Sequence, residues 1–142
     1  MSKLEEAYNI AATEDVSTPP NKVVLYSISY LPTRQNKDNA LEFLKKNPDF
    51  YTLDDTPCGK KLISLGLETG NDCPNSELLK IWAIASERFI AAASGNITAF
   101  VENANSKSTF VSVELPHILQ NNKIKLINGT DKFVFAKNFG ID

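Results

Sequence analysis

The stretch Ser76–Val101, SELLKIWAIASERFIAAASGNITAFV, decides the fold. Ser76 suits a helix N-cap and Glu77 the first turn. Leu78 to Ala93 then runs without a breaker, so the pattern predicts a long helix. Trp82 and Ser86 stand four apart on one helical face, with Phe89 following and Leu78, Ile81 and Ala85 as apolar neighbours. Gly95 lies where a left-handed C-cap belongs. Asn96–Val101 reads as a buried strand. A strong helix feeding directly into a buried strand points to an α/β domain.

Outward from this unit, Lys22–Ser27 is a compact β-branched run and reads as a second buried strand. Residues 1–20 are polar, with Leu4, Ala7, Tyr8 and Ala11 as one short stripe. They read as an N-terminal arm or weak helix ahead of a domain spanning 21–142. Ile28–Asp38 reads as a loop, Asn39–Lys46 as a helix stopped by Pro48, and Tyr51–Asp54 as an extended piece. Thr56-Pro57 starts a further helix through Leu65, and Gly66–Asn75 reads as a loop. Pro116–Leu119 is a short helical turn. Lys123–Ile127 alternates as a half-buried strand, Asn128-Gly129 is a hairpin turn, and Phe133–Phe135 reads as a final strand. The order β-α-α-α-β-β-β predicts a small, mostly parallel central sheet flanked by helices.

The chain has 142 residues, 42% hydrophobic and 23% charged, which suits one globular domain. The formal net charge of −2 and pI near 5.4 argue against a nucleic-acid binder. No run approaches the ~20 apolar residues of a membrane helix, and no signal peptide is visible. Two cysteines, Cys58 and Cys73, suit either free thiols or one bridge. With a lone distant His117 they do not make a zinc site. No phosphate loop, dinucleotide glycine fingerprint or nucleophile elbow is present.

Three places can carry chemistry. Trp82 with Ser86 is either core packing beside a tolerated hydroxyl or the wall of a cavity where the indole stacks on a flat ring. In Ser108-Thr109-Phe110-Val111-Ser112-Val113-Glu114, strand alternation would place Phe110, Ser112 and Glu114 on one face. Glu114 is then either solvated or pocketed, and a pocketed carboxylate suits stabilisation of positive charge on a ribose. Asp54-Asp55 precede a helix start, where acids usually cap. Arg88 suits either a phosphate or an end-of-helix role, and His117 a surface or capping one.

At these residues the chain resembles the ADP-ribosyl cyclase / NAD glycohydrolase family, and most of all its compact bacterial toxin domains from contact-dependent inhibition and other polymorphic toxin systems. Four blocks in family order carry the resemblance: Asn21–Ser27, Thr52–Lys60, Trp82-x-x-x-Ser86-x-Arg88-Phe89 with Ala92–Gly95, and Ser108–Pro116. They span residues 21 to about 128. The resemblance implies an ADP-ribosyl cyclase-like fold and cleavage of the nicotinamide–ribose bond of NAD+ or NADP+. Glu114 would be the catalytic acid that binds the ribose hydroxyls, Trp82 would stack on the nicotinamide end, and Ser86 would sit under the anomeric carbon. Tyr26 would stand for a second aromatic wall. Ser27, Ser108, Thr109 and Phe110 would hold the diphosphate, and Asp54 would meet the carboxamide. Tyr for Trp and Asp for Glu depart from the animal enzymes and leave cyclisation open against hydrolysis. The resemblance further implies no metal and no cofactor beyond the dinucleotide substrate, a monomer, and a cognate immunity protein. It also implies release from a larger effector that acts in the cytoplasm of a target cell. A nuclease toxin or a non-enzymatic binding module are the readings of another class. The near-neutral charge and single histidine disfavour the nuclease.

Overall fold

The computed structural model describes residues 2–28, 30–66, 76–108 and 110–140. It is a mixed α/β arrangement around an open four-stranded sheet, as the element order predicts. The strands are β1 (Val23–Tyr26), β2 (Gly95–Phe100), β3 (Ile124–Ile127) and β4 (Thr130–Asp131), in the order β1-β2-β3-β4. β1 with β2 and β2 with β3 are parallel; β3 with β4 is antiparallel. Val23, Val24 and Leu25 are all buried, which explains the continuous apolar run of β1. Tyr51 adds one parallel bridge outside β1, through Val24 N–H to Tyr51 O at 2.8 Å and Tyr51 N–H to Lys22 O at 2.8 Å.

Among the described residues the helices are α1 (Lys3–Thr13), α2 (Gln35–Lys46), α3 (Pro57–Ser64), α4 (Ser76–Ala91), α5 (Leu115–Gln120) and α6 (Lys132–Ala136). α4 is the central one and buries Ile81, Ala85, Phe89 and Ile90 completely. α1 lays Ala7, Ile10 and Ala11 against α3 and α4. α2 packs on β1 and β2, and α6 on β3 and β4. Most of the expected loop Gly66–Asn75, the capping side chain of Ser76 and Cys73 lie outside the described residues. Cys58 is a buried free thiol whose Sγ lies 3.4 Å from Ile10 O.

Several expectations change. The Ile28–Asp38 loop ends early, because α2 begins at Gln35. Asn36 is buried there and its Nδ2 donates to Ser27 O at 2.8 Å and Glu102 O at 2.9 Å. These are tertiary bonds that no local pattern displays. Phe133–Phe135 is helical rather than a strand. Asp131 caps α6 by accepting from Phe133 N–H at 3.0 Å and Val134 N–H at 3.2 Å, which ends β4 after two residues. Gly95 is left-handed as expected, but it opens β2 rather than closing α4, which ends at Ala91. In β3 the strict alternation fails: Ile124 and Ile127 are buried, Lys125 and Leu126 exposed. The Asn128-Gly129 turn is present, with both residues at positive φ (53° and 76°), the geometry that matches strand twist in a two-residue hairpin.

The start of α3 fixes the Thr52–Asp55 block. Thr56 caps the helix, accepting from Gly59 N–H at 3.1 Å and donating to Leu53 O at 2.6 Å. A Cβ at Gly59 would stand 2.0 Å from Leu53 O. Gly59→Ala is expected to cost about 1–3 kcal/mol, read as a lower urea midpoint with unchanged slope. A variant as stable as the parent would show that this close approach relaxes freely.

Candidate functional site

Glu114 ends a short π-helical turn, Phe110–Glu114, and sits at the N-cap position of α5. Ser108 begins this turn: its Oγ accepts from Val111 N–H at 3.2 Å, and its carbonyl accepts from Ser112 Oγ at 2.6 Å and Ser112 N–H at 2.9 Å. These local bonds compete with extended structure, and Pro116 in the first turn of α5 suits a helix start. The strand expected for this segment is therefore corrected to a helix. The consequence is concrete: Phe110 and Glu114, four apart, turn inward, while Ser112 turns out to solvent.

The Glu114 residue is only 8% exposed and its side chain makes no capping bond to α5. Burial pushes its carboxyl from the ordinary 4.5 up to about 7. Trp82 is equally enclosed at 8%, and its Nε1–H has no partner among the described residues. Ser86 is 5% exposed. Both side chains stand on α4, which packs against the π-helical turn and against the 3-10 turn Leu53–Asp55. One helix thus borders the segments that carry Glu114 and Asp54.

In that 3-10 turn the two acids part company. Asp55 Oδ2 accepts from Thr52 N–H and Thr52 Oγ1, both at 2.9 Å, which is capping work. Asp54 is half-buried beside it. Tyr26 and Ser27 lie at the carboxyl end of β1, where ligands of open α/β sheets collect. Ser27 is buried, and its N–H reaches Phe100 O at 3.1 Å. Lys37 Nζ stands 5.8 Å from the Tyr26 ring centroid. Ser108 and Phe110 are buried; Thr109 lies outside the described residues.

Arg88 Nη1 donates to Ala11 O at 2.7 Å, which ties α4 to α1. His117 Nδ1 lies 2.7 Å from Val113 O, a contact along its own helical turn. Asn36 and Lys37 were not singled out from the sequence, because both fall where a loop was expected. Among the described residues no group of three or more His, Cys, Asp or Glu could hold a metal, and no helix is long and apolar enough to cross a membrane.

No family model matches the chain, and no curated protein does. Solved structures do. A structure of Aplysia cyclase with substrate NGD and product cGDPR is similar with TM-score 0.55 and 25% identity, over 77% of this chain and 48% of that one. Porcine CD38 with a covalent intermediate, ribo-F-ribose-5'-phosphate, is similar with TM-score 0.58 and 20% identity, over 88% and 67%. An ADP-ribosyl cyclase complexed with N1-cIDPR has TM-score 0.59 and 19% identity, over 87% and 61%. The chain spans about half the length of the Aplysia cyclase. Its open sheet flanked by helices is therefore the ADP-ribosyl cyclase-like fold, with the ADP-ribosyl cyclases and CD38 as its structural neighbours.

Proposed function

We propose that this chain is an NAD(P)+ glycohydrolase that releases nicotinamide and leaves ADP-ribose or its 2′-phosphate. The observation that carries the reading is a buried glutamate, free of capping duty, on a segment packed against the Trp82–Ser86 helix. The C1′–N bond breaks with its electron pair passing to the nicotinamide nitrogen. The ribosyl cation is met by the Glu114 carboxylate, and the water-poor surroundings strengthen the attraction between the two charges. Water adds to C1′ and releases one proton. Trp82 stacks on the nicotinamide, Ser86 lies under C1′, and Tyr26 forms the opposite wall. Asp54 meets the carboxamide. Ser27, Ser108, Thr109 and Phe110 hold the diphosphate through hydroxyls and amides. No step asks for a metal. In this reading the chain is a monomeric bacterial toxin domain, delivered with a larger effector into the cytoplasm of a target cell, where it empties the NAD pool and meets a cognate immunity protein. Cyclisation to cyclic ADP-ribose is the second reading, favoured by the cyclic product bound to the Aplysia neighbour.

Purified protein incubated with NAD+ and analysed by chromatography is expected to yield nicotinamide with ADP-ribose, and Glu114→Gln to lower kcat about 100-fold or more. Unchanged NAD+ with the folded parent would refute the reading, and a cyclic product would replace hydrolysis by cyclisation. Expressed inside bacteria, the parent is expected to stop growth and the variant to permit it. Toxicity that survives Glu114→Gln would have another cause.

The raised carboxyl also sets two pH dependences. The ionised form does the work, so kcat/KM is expected to climb through about pH 7 and level off above it. A profile flat from pH 5 to 9 would contradict this. For stability, a folded-state value above the ordinary 4.5 means that the folded protein binds the extra proton. The contribution is complete below about pH 4.5 and is lost as pH rises through about 7. The displacement corresponds to roughly 3 kcal/mol. Glu114→Gln is therefore expected to gain stability over the parent between pH 5 and 8, measured by urea unfolding. An equal difference at both ends would refute it.

A further inference from the structure

The carboxyl end of β2 opens into a groove of about 560 Å³, within the size range of small-molecule sites. It is lined by Asn36 and Asn39 of α2, by Phe100 and the residues leaving β2, and by Phe135, Asn138 and Phe139 of the C-terminal segment. Among the described residues that line it, Glu102 is the one ionisable group and none is a cation that could receive a phosphate. The groove suits a neutral, flat, polar-edged ligand.

The carboxamides divide by duty. Asn128 spends its side chain on Ala99, accepting from its N–H at 2.8 Å and donating to its carbonyl at 2.9 Å. Asn36 spends both amide hydrogens on Ser27 O and Glu102 O. Asn39 uses only its Oδ1, which accepts from Gln35 Nε2 at 2.7 Å, and so keeps its Nδ2 for a ligand. Asn138 is exposed and has no side-chain partner among the described residues. A carboxamide donates and accepts in one plane, which is how asparagine pairs with the N6/N7 edge of adenine. Phe135 and Phe139, half-buried and 5.6 Å apart between ring centroids, supply apolar faces on which a base stacks.

The groove is one contact from the residues assigned to the diphosphate. The Asn36 that lines it grips the Ser27 carbonyl, and Phe139 meets the Phe110 ring edge-on at 5.7 Å. We propose that this groove seats the adenine base of the dinucleotide, read by the Asn39 and Asn138 carboxamides and stacked on a phenylalanine face. This rests on the glycohydrolase reading for its substrate, yet it is testable apart from turnover.

AMP titrated into the isotopically labelled protein is expected to move the side-chain amide resonances of Asn39 and Asn138. The double variant Asn39→Ala/Asn138→Ala, both exposed positions, is expected to bind AMP about tenfold more weakly by calorimetry. IMP, which lacks the amino group, is expected to bind the parent about fivefold more weakly or worse. With NAD+ the double variant is expected to raise KM about tenfold while kcat stays within about twofold. AMP that leaves these resonances unmoved at millimolar concentration, or binds both proteins equally, overturns the proposal. A protein that seats AMP in the groove and leaves NAD+ uncut keeps the purine site and rejects the glycohydrolase reading. One that cuts NAD+ with an unaltered KM in the double variant keeps the activity and rejects the groove.

Discussion

The constraint around which the site segment is built is one carboxyl held out of water. Glu114 is enclosed, and its displacement to about 7 puts the opposing free energy at roughly 3 kcal/mol when ionised. Its neighbours in sequence, Phe110, Val111 and Leu115, are buried too. Burying such side chains gains roughly 1.5–3 kcal/mol each, so the three together outweigh the cost of carrying the acid inward. The π-helical turn lets this happen. It brings Phe110, Val111 and Glu114 to the inner side and sends Ser112 out. A pleated strand would have exposed either the acid or its apolar neighbours.

α4 is the surface against which that turn is set, and both of its ends are secured. Tyr8 donates from its hydroxyl to Glu77 in the first turn. Near the other end, Arg88 reaches Ala11 O, and Asn121 Nδ2 donates to Ile90 O at 2.8 Å and Ala93 O at 3.1 Å. α1, which lies ahead of the four recognisable blocks, thus ties α4 at two points. Trp82 and Ser86 stand on the helix held by these bonds.

Legibility followed the range of the forces involved. α4, β1, β2 and the Asn128-Gly129 turn were readable because periodicity, β-branching and turn residues act over a few positions. The Ser108–Glu114 segment was misread because a Val-rich run satisfies strand alternation, while Ser108 decides for helix through bonds to Val111 and Ser112. Phe133–Phe135 was misread for a similar reason. Asp131 caps a helix there, and Lys132, buried among apolar neighbours, donates to Ile118 O at 3.2 Å and Asn121 O at 2.8 Å. That leaves Phe133 and Val134 53% and 54% exposed, which no hydrophobic pattern anticipates.

By itself the sequence determined the α/β class, the long helix α4, the buried strands β1 and β2, and the Asn128-Gly129 turn. Tertiary structure alone decided that Glu114 is buried and proton-binding near neutrality, that Asp55 caps while Asp54 stands beside it, and that Asn36 joins β1 to the loop after β2. The physical reason is one of distance along the chain. Periodicity and capping couple residues a few positions apart, whereas desolvation and the Asn36 bonds depend on segments up to 66 residues away.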